Sequence, residues 1–316
     1  MIVPALVLTA GLGTRLDPLT RLVAKPAVPL GDRSLIEHVL AWLHREGVRD
    51  VVLNLHHRPA SITGIVGDGA HLGLSVRYSW EHPILGSAGG PRRALALLEA
   101  DTFLIVNGDT LCDFPLAPML DAHFRSGADV TLAAIPHPRP RHYNGIAADA
   151  EGRVIGFVPR GPEAEGTWHM VGVQVVSATV FAALPDGEPA ETVAGIYRTM
   201  VTERPGRIRV FPVSTSFVDV GAPADYLHAA MTWAGTAVTG DVHASAHVRA
   251  SIVWPEARVE ADAELSEVIV AGPVTVPRGA RLQSSVVVPA AVLRPGDRGT
   301  LQGEMAIFPL DGSRDR

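Results

Sequence analysis

Cysteine is nearly absent from this chain: Cys112 stands alone in 316 residues. One thiol cannot build an intrachain disulfide framework, so a reducing, cytoplasmic compartment is the expectation. Basic charge is scarce too. The 27 Lys and Arg are outnumbered by 33 acidic residues, for a net charge of −6, and they are scattered rather than gathered into a block or interleaved with aromatics. That pattern excludes an electrostatic footprint for nucleic acid. An anionic ligand would have to be held locally, by backbone N–H groups, a few placed cations and a metal. Long hydrophobic runs are also missing. The apolar start, Met1 to Leu8, has no basic leader and reaches Gly11 too early to span a membrane. It reads as a buried strand.

What is present is the composition of a compact soluble protein, 47% apolar and 19% charged. The length allows one large domain and something smaller. Short apolar runs at 2–9, Asp50–Leu55, Ser75–Trp80 and Thr102–Asn107 predict strands. Between the first two, Ser34-Leu35-Ile36-Glu37 carries a capping-box pattern and Gly47 a stop, which predicts a helix. A second helical stretch covers 88–98. Alternation of this kind implies a mostly parallel sheet with helices on both faces, and ligands bind such sheets at the carboxyl ends of the strands. The loops after Leu8 and Val106 are therefore the places to look.

From about Ala237 the pattern changes. Val242, Val248, Ile252, Val259, Leu265, Val270, Val274, Leu282 and Val288 recur at roughly six-residue spacing among small neighbours. Neither an amphipathic helix nor a meander has that period. A parallel β-helix does, with one aliphatic residue pointing inward from each short side. The register breaks at 267–273, so only a few coils are expected, followed by a polar end at 312–316.

The sharpest chemical signal is Leu8-Thr9-Ala10-Gly11-Leu12-Gly13-Thr14-Arg15-Leu16. Glycines let backbone approach phosphate oxygens, successive N–H groups form an anion nest, and Arg15 can add a bidentate contact. A plain strand-to-helix turn also accounts for the glycines alone. Leu16 stands where a dinucleotide fingerprint needs its third glycine, which argues against hydride transfer. Lys25-Pro26 follows close by in sequence as a second cation. Asp109, in Asn107-Gly108-Asp109, ends an apolar strand, although such aspartates often only shape turns. Asp219 also ends an apolar stretch. His56 and His57, a strand-end pair, read as structural or exposed.

In this order Gly11-Leu12-Gly13-Thr14-Arg15-Leu16, Pro18-Leu19-Thr20 and Lys25-Pro26 strongly resemble the signature of the sugar-1-phosphate nucleotidyltransferase family. Leu85-Gly86-Ser87-Ala88-Gly89-Gly90 is similar to its second glycine loop, near base and ribose. Val106-Asn107-Gly108-Asp109 is similar to its metal-aspartate strand end. Tyr143-Asn144-Gly145 and Val171-Gly172-Val173 are similar to its sugar-pocket glycines, and Phe217-Val218-Asp219-Val220-Gly221 to its second metal aspartate.

The resemblance implies a Rossmann-like, mixed but mostly parallel α/β sheet of the nucleotide-diphospho-sugar transferase type, with a short C-terminal left-handed parallel β-helix. It implies a catalytic domain over 1–235, hexapeptide coils over 236–300 and a tail over 301–316. The activity implied joins a nucleoside triphosphate to a sugar 1-phosphate and releases pyrophosphate, with Mg²⁺ as cofactor. Arg15, Lys25, Asp109 and Asp219 would be catalytic, the two aspartates holding the metal. Leu8, Ala10, Gly11, Gly13, Thr14, Arg15, Glu81, Gly86 and Gly89 would bind nucleotide. Asn144, Gly145, Arg160 and Gly172 would bind sugar. No nucleic-acid or membrane partner is implied; a homodimer through the coil or the sheet is carried as an expectation.

Two departures bear on substrate. Many relatives carry Phe-x-Glu-Lys-Pro where this chain reads Phe157-Val158-Pro159-Arg160-Gly161. Arg160 would supply the cation but no acid stands beside it, as in the subgroup that activates N-acetylmuramate 1-phosphate. Glu81 stands where thymidylyl enzymes use Gln; a carboxylate only accepts, and guanine offers two adjacent donors. That leans to guanine, and the short coil tail, similar to that of mannose-1-phosphate guanylyltransferases, leans the same way. Uridylyl or thymidylyl transfer to glucose 1-phosphate or N-acetylmuramate 1-phosphate is the alternative. Two rivals of other classes are a catalytically silent regulatory subunit and an acyltransferase using His243 or His247. The first sits poorly with four intact signature residues, the second with so short a coil.

Overall fold

The computed structural model describes residues 3–215, 218, 220–233 and 237–311. Part of the expected first strand, the metal candidate Asp219 and the polar end 312–316 lie outside the described residues. Contacts divide the chain into two compact units, Met1–Gly11 with Glu37–Phe217 and Leu12–Ile36 with Val218–Arg316. This differs from the expected division near 235. The signature segment 12–36 clusters with the C-terminal part of the chain, not with the strand that precedes it.

The first unit is built on a nine-stranded sheet. Its strands are β1 (Ala5–Leu8), β2 (Asp50–Leu55), β3 (Ser75–Trp80), β4 (Thr102–Asn107), β5 (Val130–Pro136), β6 (Gly145–Ala148), β7 (Val154–Val158), β8 (Trp168–Ser177) and β9 (Ile208–Pro212). The main path runs β9-β5-β8-β4-β1-β2-β3, with the β6–β7 hairpin attached to β8. Strands β3, β2, β1 and β4 are parallel, β8 runs antiparallel to both β4 and β5, and β9 is parallel to β5. Every side chain of Phe103 to Val106 is fully buried, as are Ala5, Leu6 and Val7. Both faces of these strands are covered, which is why their sequence runs without polar alternation.

Helices α1 (Leu35–Arg45), α2 (Pro59–Val66), α3 (Gly86–Leu98), α4 (Ala117–Ser126), α5 (Thr179–Ala182) and α6 (Tyr197–Glu203) connect the strands. Ala88, Ala94 and Leu98 of α3 join Leu6, Phe103 and Ile105 in one apolar cluster. The buried Tyr197 hydroxyl in that region has a partner: it donates to Gln174 Oε1 at 2.6 Å. Chain order places β2 on one side of β1 and β4 on the other. The strand order therefore reverses at β1, and in sheets of this kind ligands bind at the carboxyl ends of the strands flanking such a reversal.

The second unit contains helix α7 (Pro223–Trp233) and a stack of short strands: β10 (Asp241–Val242), β11 (His247–Arg249), β12 (Ile252–Val253), β13 (Arg258–Val259), β14 (Glu264–Val270), β15 (Thr275–Val276) and β16 (Arg281–Pro289). Their parallel pairings repeat at a fixed offset: His247 with Glu264, Ile252 with Ile269, Arg258 with Thr275, Glu264 with Arg281. Side-chain bonds such as Val268 N–H to Ser251 Oγ span the same 17 residues. Each coil is one residue short of three hexapeptides, which accounts for the break in the sequence period.

The shortening falls at a corner. Ala250, Glu267 and Ser284, equivalent in successive coils, all have positive φ, at 46°, 58° and 44°, a conformation that non-glycine residues adopt only at a cost of about 1–2 kcal/mol. Val259, Leu265, Val270 and Val274 line the interior with Val253, Val276 and Val287. This arrangement is consistent with a parallel β-helix. Residues 301–316, expected as a tail, include ordered structure: β17 (Thr300–Gln302) and β18 (Met305–Pro309) form a hairpin, and β18 pairs antiparallel with β16. An antiparallel strand there covers the edge of β16, which would otherwise be open to aggregation.

Candidate functional site

Within the first unit, the carboxyl end of β1 meets that of β4. Leu8 is in register with Asn107, and Gly108 N–H donates to Leu8 carbonyl at 2.9 Å. Asp109, partly exposed, is the next residue and stands at the strand-order reversal. Gly172 approaches the same place from β8. Its φ of 82° coincides with a register shift between Met170 and Gln174. A Cβ there would lie 2.2 Å from Thr110 Oγ1 and 2.8 Å from Asn107 Nδ2. Only glycine fits. The structure thus brings Leu8, Asp109 and Gly172 to one corner and adds Asn107 and Thr110, which the sequence motifs had not singled out for roles of their own.

The backbone after β1 is held by a buried relay. Asn54, at the end of β2, accepts through Oδ1 from Thr9 N–H at 2.6 Å and Ala10 N–H at 3.3 Å, and its carbonyl accepts from the Thr9 hydroxyl. The Asn54 amide donates to Glu81 Oε1 at 2.7 Å, and Glu81 Oε2 accepts from Leu85 N–H at 2.8 Å. Asn54 is 3% and Glu81 4% exposed. Two expectations change. The Ala10 N–H already serves the protein, and both Glu81 oxygens already have protein donors. Glu81 is a structural keystone here, so its carboxylate no longer argues for guanine.

Replacing Glu81 by Gln tests this reading. A carboxamide presents one donor end, which must face either the Asn54 amide or the Leu85 N–H, leaving a donor without an acceptor. We expect Glu81→Gln to lower stability by about 1–3 kcal/mol, measured by chemical denaturation; a neutral effect would show that the relay is not formed.

The second glycine motif differs from its expected form. Helix α3 begins at Gly86, two residues earlier than the sequence pattern indicated, so Gly86 to Gly90 form its first turn rather than a loop. The Ala88 and Gly89 N–H groups donate to Ala190 carbonyl at 2.8 and 3.2 Å. The Ser87 hydroxyl donates to Glu191 Oε2 and accepts from Thr192 N–H at 2.8 Å. A Cβ on Gly86 would meet Glu191 Oε1 at 2.6 Å, and one on Gly89 would meet Glu188 carbonyl at 2.5 Å. These glycines admit the chain's own segment 188–191, a packing role that local sequence could not show.

Of the sugar candidates, Asn144 and Arg160 do meet: Arg160 N–H donates to Asn144 Oδ1 at 3.0 Å. Gly145 starts β6, paired with Val158. The Tyr143 ring lies 4.8 Å from that of His169, which is 5.2 Å from that of His137. This aromatic group beside Asn144 went unnoticed in the sequence because its members lie far apart. His56 has a structural partner, Glu81 carbonyl at 3.0 Å from Nδ1. His243 and His247 are exposed on the coil.

Cys112, three residues beyond Asp109, is 5% exposed, and burial, reinforced by Asp113, pushes its thiol up to about 12. At pH 8 the thiolate fraction is then about 10⁻⁴. The native protein should react slowly with an aromatic disulfide reagent at that pH, and at once when denatured. Rapid native labelling would contradict the burial.

The second unit holds the rest of the signature. Gly13 has φ 62°, and a Cβ there would meet Thr20 Cγ2 at 2.8 Å and Lys25 Cβ at 3.0 Å. The Thr20 hydroxyl donates to Gly13 carbonyl at 3.3 Å. The turn therefore closes directly onto Thr20 and Lys25, which is 9% exposed, while Thr14 and Arg15 are exposed. Among the described residues no group of three or more His, Cys, Asp or Glu forms a metal cluster. The carboxylate of Asp109 is a hard oxygen donor of the kind Mg²⁺ prefers, an ion that keeps several waters and uses few carboxylates.

Comparison with known proteins gives three findings. Residues 4–235 match a family model described as Nucleotidyl transferase. A mannose-1-phosphate guanylyltransferase of Mycobacterium tuberculosis is 30% identical over 225 residues, covering 71% of this chain and 63% of that protein. A UTP–glucose-1-phosphate uridylyltransferase of Synechocystis is 27% identical over 242 residues, with 71% and 62% covered. The match thus spans less than two thirds of either curated relative. Among solved structures, HddC from Yersinia pseudotuberculosis, complexed with GMP-PN, superposes with a TM-score of 0.63 at 22% identity, over 73% of this chain and 99% of that one. At that identity the likeness concerns the fold.

Proposed function

Since the chain belongs to the nucleotidyl transferase family, we propose that it transfers a nucleotidyl group from a nucleoside triphosphate to a sugar 1-phosphate, releasing pyrophosphate. The observation that carries the proposal is the junction of β1 and β4, where Asp109 emerges at the strand-order reversal and Gly172 packs against its neighbours Asn107 and Thr110. A phosphate oxygen of the sugar 1-phosphate attacks the α-phosphorus; an O–P bond forms as the bond to the β-phosphate oxygen breaks. Both reactants are anions, so repulsion and alignment are the obstacles, and a phosphate oxygen needs no general base.

In this reading the turn at Gly11 to Thr14 offers backbone N–H groups to the triphosphate, and Arg15 adds a bidentate cation. Lys25 neutralises the sugar phosphate or the α-phosphate. Asp109, with Asp219 as its partner, would hold Mg²⁺, which when bound supplies further neutralisation of the triphosphate. Asn144, Gly145, Gly172 and Arg160 face the sugar. The cytoplasm, where both substrates and a single free thiol are at home, is the proposed compartment.

The guanylyl–mannose pair is the first candidate, supported by the relatives rather than by Glu81. A specific observation favours a second: Arg160 stands without an acid beside it, the pattern similar to N-acetylmuramate-1-phosphate uridylyltransferases. A matrix of four nucleoside triphosphates against mannose, glucose and N-acetylmuramate 1-phosphates, read by pyrophosphate release, decides between them. Release with none of the pairs would reject the proposal.

A further inference from the structure

The signature segment and the C-terminal coil belong to one compact unit, and the bonds joining them converge on Arg21, two residues beyond the signature's Leu19. All its donors are used. Nε donates to Asp17 Oδ1 at 2.7 Å and Nη2 to Asp17 Oδ2; Nη1 and Nη2 both reach the Asp297 carboxylate, the latter at 2.9 Å, and Nη1 also donates to Val292 carbonyl at 2.9 Å. The guanidinium lies 5.7 Å from the centroid of the Phe308 ring, on β18. Its side chain is 9% exposed. Hydrogen bonds from Arg21 hold the Asp297 carboxyl down at about 2. Such bidentate, charge-assisted pairs fix geometry more firmly than ordinary contacts do.

Two further ties lie along the same segment. Leu22 packs on Gly272, where a Cβ would come within 3.1 Å of Leu22 Cδ1. The Tyr226 hydroxyl of α7 donates to Pro29 carbonyl and accepts from Trp254 Nε1 on the coil at 3.0 Å. The segment thus has three attachments to the C-terminal part of the chain, at positions 21, 22 and 29. Lys25 lies between these attachments, and Arg15 lies two residues before Asp17, which Arg21 also binds.

We infer that the C-terminal coil and its terminal hairpin are the positioning element of the phosphate-binding turn, with Arg21 and Asp297 as positioning residues rather than as ligands of the substrate. The inference rests on the proposed transfer activity. Without the tie, the turn samples conformations that cannot bind, and apparent affinity falls by the competent fraction, while a turn already bound still reacts.

Asp297→Asn is the test, with Val276→Ala, a cavity in the coil interior, as the control of general destabilisation. Asp297→Asn should raise KM for the nucleoside triphosphate about tenfold with kcat nearly kept, and should increase hydrogen exchange across residues 12–24. Val276→Ala should lower the melting temperature and change neither. Unchanged exchange at 12–24 in Asp297→Asn, or an equal increase in Val276→Ala, overturns the inference. If wild type releases pyrophosphate from no substrate pair, the proposed function fails, and the exchange measurement alone still decides the role of the coil.

Discussion

Asp109→Asn should reduce divalent-metal-dependent pyrophosphate release by about 10³-fold or more, the scale on which metal-assisted charge neutralisation acts at a displacement between anions. Asn keeps the shape of Asp and one oxygen but loses the charge that a hard cation needs. Asp109 is partly exposed and follows the β4 end, and Asn is nearly isosteric with it, so the melting temperature should stay within a few degrees. The measurement is turnover against Mg²⁺ concentration for wild type and variant, with circular dichroism as the check on folding. Turnover close to wild type at every Mg²⁺ level would remove Asp109 from the metal site. Turnover restored at high Mg²⁺ would instead retain it there, as a binding group.

The second large effect concerns Arg15. Arg15 is exposed, one residue before the buried Leu16, so truncating it costs the fold little. Its cation is proposed to meet the triphosphate as negative charge moves toward the departing pyrophosphate. Removing such a donor typically lowers turnover by about 10²–10³-fold. Arg15→Ala should therefore lower kcat/KM by that factor, and Arg15→Lys should recover only part, because an ammonium cannot match the planar fork. Equal losses in the Ala and Lys variants would show that the planar fork, not charge alone, matters at this position. A loss confined to KM would place the Arg15 contact equally in ground and transition states.

The sequence alone determined the strands and the coil, because each is written in local chemistry. Three strands, Asp50–Leu55, Ser75–Trp80 and Thr102–Asn107, have the bounds their apolar runs indicated, since parallel strands covered on both faces need apolar residues throughout. The roughly six-residue period marked the coil, although only the corners at Ala250, Glu267 and Ser284 reveal why the period slips. The family signature was likewise legible, its residues being consecutive in the chain.

Tertiary structure decided what distance along the chain conceals. Glu81 looked like a free acceptor until Asn54 and the Leu85 N–H were seen on its two oxygens. Gly86 and Gly89 looked like ligand-facing glycines until segment 188–191 was found against them. The grouping of 12–36 with the coil depends on Arg21 and Asp297, partners 276 residues apart. Propensity and period act over a few neighbouring residues, whereas a hydrogen bond or a steric gap depends only on where the folded backbone brings two groups.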